Sequence, residues 1–294
     1  MELRTPWLGR TRGQLSDWVT QRWVQLTGRV VDVEREAWLA GPVGDTDRIG
    51  SDFYERLAAR EGLRVRATGG AAGLMTSFSQ LAGPDFDPER VHPAVRDFYE
   101  RTSVYTLDVW SQWNAIFRPF GGLLAAWFSR RLQQMNVPLS PLATIRGMTS
   151  AIVQLEDRRD GSLRYTGWLR ENRATGLTVY VGIYSVARIP GHAAPCVKVV
   201  FPLPNGSATV FMRPSVQEDG ALLLESVGES FGDPGFYFLV RKKDSFYWVR
   251  FLRTFRESIR VYVEPPGELR TDHRFTIFGR TFLQLHYRLH GAAK

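Results

Sequence analysis

The stretch from Phe255 to Leu289 reads FRESIRVYVEPPGELRTDHRFTIFGRTFLQLHYRL, and apolar and polar residues alternate through it with period two. The alternation breaks at Pro265-Pro266-Gly267-Glu268 and again at Gly279-Arg280, and resumes each time. A period of two belongs to an extended strand with one face buried, and Pro and Gly mark where such a strand turns. Strands joined by turns this short pair antiparallel, because a parallel pair needs a long crossover.

The same character reaches back to Met148. Strands are expected at 148–156, 162–172, 176–188, 195–203, 207–213, 221–229, 236–242, 245–255, 255–264, 269–278 and 281–289. Turn residues mark several of the breaks: Asp160-Gly161, Asn205-Gly206, Asp219-Gly220 and Pro234-Gly235. The first 147 residues read differently. Within 12–27, Leu15, Trp18, Val19, Trp23 and Leu26 recur at helical spacing, a stripe expected to pack on the domain. Further helices are expected over 52–61, between a Ser51 cap and Gly62, over 94–102 behind Pro93, and over 120–135 behind Pro119. Residues 29–39 fit strand and helix alike, and 64–66 and 105–113 can form brief strands.

The fold class expected is α+β. A mainly helical part over 1–147 packs on a large, strongly curved antiparallel sheet or barrel over 148–294, as one continuous core. A sheet of about ten strands curls, splits or closes rather than staying flat. In outline this layout resembles the lipocalins and the helix-gripped sheets of START-like proteins. That likeness of architecture implies a cavity for a small apolar molecule.

Composition narrows the partners. The net charge is +8, but the excess is spread. Residues 1–50 carry seven Arg against seven acids, 51–150 eleven against nine, and 151–294 twenty Lys and Arg against fourteen. Dispersed cations of this kind form no tract for nucleic acid, so no specific nucleic-acid partner is expected. The single cysteine, Cys196, excludes an intramolecular disulfide and a Cys-rich metal site. The glycine-rich run at 67–75 lacks the Lys-Ser/Thr of a phosphate-cradling loop and reads as surface loop. No metal, no cofactor and no serine-hydrolase chemistry is expected. MELRTPWLGRTRG holds no signal-peptide core, and the apolar run at 121–128 falls short of a membrane span. The expected location is cytoplasmic, with no transmembrane segment; the Trp stripe leaves peripheral membrane contact open.

Candidate chemistry follows from the same parity. In 255–263 the odd positions are Phe255, Glu257, Ile259, Val261 and Val263, so Glu257 is a carboxylate on an apolar face. In 269–277 they are Leu269, Thr271, His273, Phe275 and Ile277, which puts His273 on the matching face. Paired as a hairpin, the two strands bring Glu257 and His273 opposite each other or one step diagonal. A buried carboxylate beside an imidazole can do general acid–base work, or form an inert couple. Tyr165, Trp168, Tyr180 and Tyr184, with Phe255 and Phe275, are the aromatic residues expected to line a ligand cavity. Lys198, between Val197 and Val199, is expected to face solvent; the alternative is a buried lysine of lowered pKa. His92, His192, His286 and His290 are assigned no role. The functional expectation is binding of a small hydrophobic molecule in a sheet-walled cavity, with room for cofactor-independent cyclase or isomerase chemistry. The alternative is a non-enzymatic module that docks a partner or a membrane surface.

Overall fold

The elements of the computed structural model, in chain order, are α1 (Leu15–Thr27), β1 (Arg29–Asp32), α2 (Phe53–Glu61), β2 (Leu63–Val65), α3 (Pro93–Glu100), β3 (Tyr105–Trp113), β4 (Met148–Asp157), β5 (Leu163–Asn172), β6 (Thr178–Ala187), β7 (Cys196–Leu203), β8 (Gly206–Val216), β9 (Leu222–Glu225), β10 (Phe236–Lys243), β11 (Phe246–Phe251), β12 (Phe255–Glu264), β13 (Glu268–Ile277) and β14 (Arg280–Gly291). The structure describes residues 15–46, 48–66, 71–114, 148–173 and 175–291, with 116, 117, 119 and 134. The helix expected at 120–135, the start of the 12–27 run and residues 67–70 lie outside the described residues, Gln134 excepted.

All the described strands belong to one antiparallel sheet, whose main path runs β2-β4-β5-β6-β7-β8-β9-β12-β13-β14-β3. Three of them come from the N-terminal half: β2 and β3 end the path and β1 pairs with β11. The long strand β8 forks the sheet. Its Arg213–Val216 end pairs with β9, while Gly206–Val210 pairs with β10, which leads on to β11. At the start of β8, Gly206 lets β10 approach closely, because a Cβ there would lie 2.0 Å from the Leu239 carbonyl oxygen.

The sheet is strongly bent but not closed, which corrects the barrel alternative. Among the described residues β2 takes the free edge of β4 at Leu155–Asp157, and β3 comes near β4 without pairing to it. The fold is α+β and mostly strand.

Three apolar clusters follow from the parity of the strands. The largest fills the inner face, where α3 and the segment around Leu74–Leu81 cover it with Phe78, Phe98 and Tyr99. α3 starts as expected: Pro93 occupies its first turn and His92 Nδ1 accepts from the Ala94 N–H. On the outer face of β4–β6, α2 packs Phe53, Tyr54 and Leu57 against Leu155, Val181 and Ile183. Its cap is Asp52 rather than Ser51, and Gly62 ends it in the left-handed conformation. The third cluster lies between the β10–β11 branch and residues 38–43, centred on Trp38, Phe211 and Tyr237.

α1 meets its expectation only in part: Trp23 packs edge-on against Phe238 of β10, with ring centres 6.1 Å apart. The buried residues of α1 are Asp17, Gln21 and Val24, while Val19, Trp23 and Leu26 are 59%, 39% and 82% exposed. The cause is what lies beneath it. Gln21 Nε2 donates to the Pro204 carbonyl and Arg250 donates to the Thr27 carbonyl, so polar groups fix which side faces the sheet.

Candidate functional site

The inner face of the bent sheet encloses a cavity of about 150 Å³, walled by residues from β3 to β14 and roofed by Leu74, Phe98 and Tyr99. Its position follows from the register of β12 and β13. Glu257 stands opposite Phe275 and Ile259 opposite His273, so Glu257 and His273 are diagonal neighbours on the inner face. They meet: His273 Nε2 lies 2.6 Å from Glu257 Oε1. Their side chains are 14% and 4% exposed, respectively.

The position of Glu257 is set by backbone. Its N–H donates to Ser226 Oγ at 2.7 Å, and the Ser226 N–H returns a bond to the Glu257 carbonyl at 2.9 Å. Ser226 follows directly on β9, so it extends the β9–β12 pairing and holds the carboxylate's Cα in register. Phe275 stacks on the imidazole with ring centres 4.1 Å apart, and Phe255 packs against Phe275 and Phe236. The second carboxylate oxygen, Glu257 Oε2, is buried without a hydrogen-bond partner.

The facing wall comes from β5 and β6. Trp168 packs edge-on against Tyr180 and Tyr184, and its Nε1 donates to Ser150 Oγ at 2.7 Å. The Tyr180 hydroxyl donates to that of Tyr184 at 2.7 Å. Arg170 shares this wall at 6% exposure. Its guanidinium lies over the rings of Tyr287 and Trp168, and its Nε and Nη2 have no hydrogen-bond partner. The electrostatics of the two walls meet at the tyrosines. Burial raises the Tyr184 phenol well above its ordinary value; the Glu257 charge adds to this and the Arg170 charge opposes it. Tyr180 is raised for the same first reason, with Glu257 again contributing.

Five of the six aromatic residues named from the sequence line the cavity: Trp168, Tyr180, Tyr184, Phe255 and Phe275. Tyr165 is a correction. It packs on the outer face against the α2 cluster, where burial, followed by Glu61, raises its pKa to about 12. Parity explains it, since Tyr165 and Trp168 are an odd number of residues apart along one strand. The same rule could have found Arg170, which lies two residues beyond Trp168 on the same face. Charge hid it, because an arginine in a strand is ordinarily read as outward.

Lys198 is a second correction. It does project from the face opposite Val197 and Val199, but that face is covered by residues 37–40. Its Nζ donates to the Trp38 and Ala40 carbonyls, and burial lowers its pKa to about 8. Lowering a lysine pKa on folding means that the unfolded chain binds the extra proton between about pH 8 and 10.4. Stability is therefore expected to rise with pH through that window, by about 2 kcal/mol between pH 7 and 9.5. Urea titrations at both pH values should show the rise in the parent protein and not in Lys198→Met.

Two spacings that elsewhere carry chemistry do not do so here. Gly228-Glu229-Ser230-Phe231-Gly232 has the Gly-x-Ser-x-Gly order, yet Ser230 Oγ donates to Asp233 and sits in an exposed turn with no helix after it. His286 and His290 are four apart, but on a strand that separates them by about 13 Å. They pair instead with Asp272 and Asp108. Among the described residues, no three His, Cys, Asp or Glu side chains group so as to hold a metal ion. No helix of the described residues is long and apolar enough to cross a membrane.

No family model matches the chain, and no solved structure matches it. The expected likeness to lipocalins and START-like proteins is thus supported by no solved structure. The chain is similar to a Bacillus subtilis (strain 168) protein described as the uncharacterized membrane protein YndJ, with 27% identity over 243 residues. The match covers 82% of this chain and 41% of that protein, so the chain spans about two fifths of its relative's length.

Proposed function

We propose that the chain binds a small hydrophobic molecule in the cavity inside the bent sheet. The supporting observation is an apolar cavity of about 150 Å³ into which a few buried polar groups converge: Glu257, His273, Arg170 and the Tyr180–Tyr184 pair. Ligand sites combine these features, with apolar walls for affinity and a few polar groups for orientation. The volume suits one substituted ring, since a cavity of about 150 Å³ takes up benzene. This is smaller than the sterol or fatty-chain scale. On this reading Glu257 Oε2 accepts a proton from the bound molecule while His273 holds the other oxygen, a general-base role open to an isomerase or cyclase without cofactor. Thermal unfolding with and without toluene tests the binding. At ten times its Kd a ligand specific to the folded state adds about 1.4 kcal/mol, so the midpoint should rise by several degrees. An unchanged midpoint in toluene-saturated buffer contradicts the proposal.

A second reading is favoured by α1. Outward Val19 and Leu26, the exposed part of Trp23 and exposed Val30 give α1 and β1 an apolar outer surface. Arg22, exposed on the same helix, adds a cation beside it. Such a face suits the headgroup layer of a membrane, and the relative carries the words membrane protein in its description. On this reading the domain works at the cytoplasmic surface of a bilayer. Flotation with anionic vesicles should recover the parent protein and lose Trp23→Ala/Leu26→Ala; failure of the parent to float ends it.

A further inference from the structure

We propose that the occupant of the cavity is a small ring-bearing acid, its carboxylate held by Arg170 and a second, donating group turned to Glu257 Oε2. This rests on the cavity reading above and names the class of molecule. Arg170 and Glu257 are opposite charges on walls of one cavity, yet no ion pair joins them. Glu257 spends Oε1 on His273. Arg170 has its faces against Tyr287 and Trp168 and leaves Nε and Nη2 unpartnered at 6% exposure.

A guanidinium buried without acceptors is among the least favourable states for a side chain, and stacking on rings does not satisfy its N–H groups. The two free N–H donors, Nε and Nη2, lie on one edge of the planar fork, the edge that a carboxylate engages with both oxygens. One guanidinium matches one negative charge, whereas a phosphate dianion would bring a second charge into walls of Leu, Val and Phe. The orphan Glu257 Oε2 asks for the opposite polarity, a hydroxyl or amine donor. Between them the lining is aromatic and aliphatic, and the volume is that of a single ring.

The experiment is a set of titrations followed by protein NMR, with toluene, benzoate and 4-hydroxybenzoate as probes, on the parent protein, Arg170→Met and Arg170→Lys. Benzoate should bind the parent about tenfold to a hundredfold more tightly than toluene, the scale of a charge-assisted pair. 4-Hydroxybenzoate should bind at least as well as benzoate. Arg170→Met should reverse the order, and Arg170→Lys should fall between, since an ammonium cannot offer the fork. Toluene binding as tightly as benzoate in the parent overturns the acid while leaving the cavity reading intact, and that comparison needs no variant to fold. Benzoate binding unchanged in Arg170→Met also overturns it. Binding of none of the probes removes the cavity reading and this inference together.

Discussion

Tyr54→Ala is expected to destabilise the protein by about 4 kcal/mol, the upper range for truncating a large ring in a core. Tyr54 is 1% exposed and its hydroxyl donates to the Gly182 carbonyl at 2.9 Å. It ties α2 to the outer face of the sheet behind the cavity wall. The ring lies directly over Gly167, where an added Cβ would stand 2.1 Å from Tyr54 Cε1. Gly167→Ala should therefore also destabilise, by about 3 kcal/mol, because neither the strand nor the packed ring can give way cheaply. The two losses should not add. In the double variant the new methyl enters the space left by the ring, so chemical denaturation should show the pair less destabilised than the sum by about 1–3 kcal/mol. Additive losses would mean that the ring and the glycine do not share that space.

Arg170→Met is expected to act in the other direction and to make the empty protein more stable, by about 1–3 kcal/mol. The methionine fills similar volume beside Trp168 and Tyr287 and removes a buried charge with unsatisfied donors. Stacking of the desolvated guanidinium on each ring is worth about 2 kcal/mol, which offsets only part of the several kcal/mol that burying the charge with unsatisfied donors costs. A residue whose removal strengthens the fold is held there by something other than the fold. Stabilisation of the ligand-free variant, measured by urea denaturation, would mark Arg170 as a binding residue; a loss of several kcal/mol would mark it as a structural one.

Much of the sheet is legible in the sequence because parity and turn residues act locally. The alternation in Phe255–Leu289 places Glu257 and His273 on one face, and a short turn between the strands brings them within one diagonal step. What is not legible depends on what covers each face. Alternation assigns Lys198 to the correct side of β7, but nothing in CVKVVFPL tells that residues 37–40 will fold over that side. Tyr165 fails for the converse reason: grouping it with Trp168 by aromatic character ignores the parity that separates them. On α1 the apolar stripe packs only through Trp23 on Phe238, because the Pro204 carbonyl and Arg250 also hold the helix and leave Val19 and Leu26 outside. The openness of the sheet is also beyond a strand count, since it rests on β2 occupying the edge of β4 that a closing strand would need.

Native mass spectrometry of the protein purified from its own host, followed by organic extraction, addresses the occupied cavity itself. The expected result is a stoichiometric adduct of about one substituted ring in mass, lost on extraction and recovered as an acid. A protein that is empty from its host and takes up none of the ring probes would contradict the cavity reading. Glu257, His273 and Arg170 would then be structural, and function would shift to the apolar outer surface of α1 and β1.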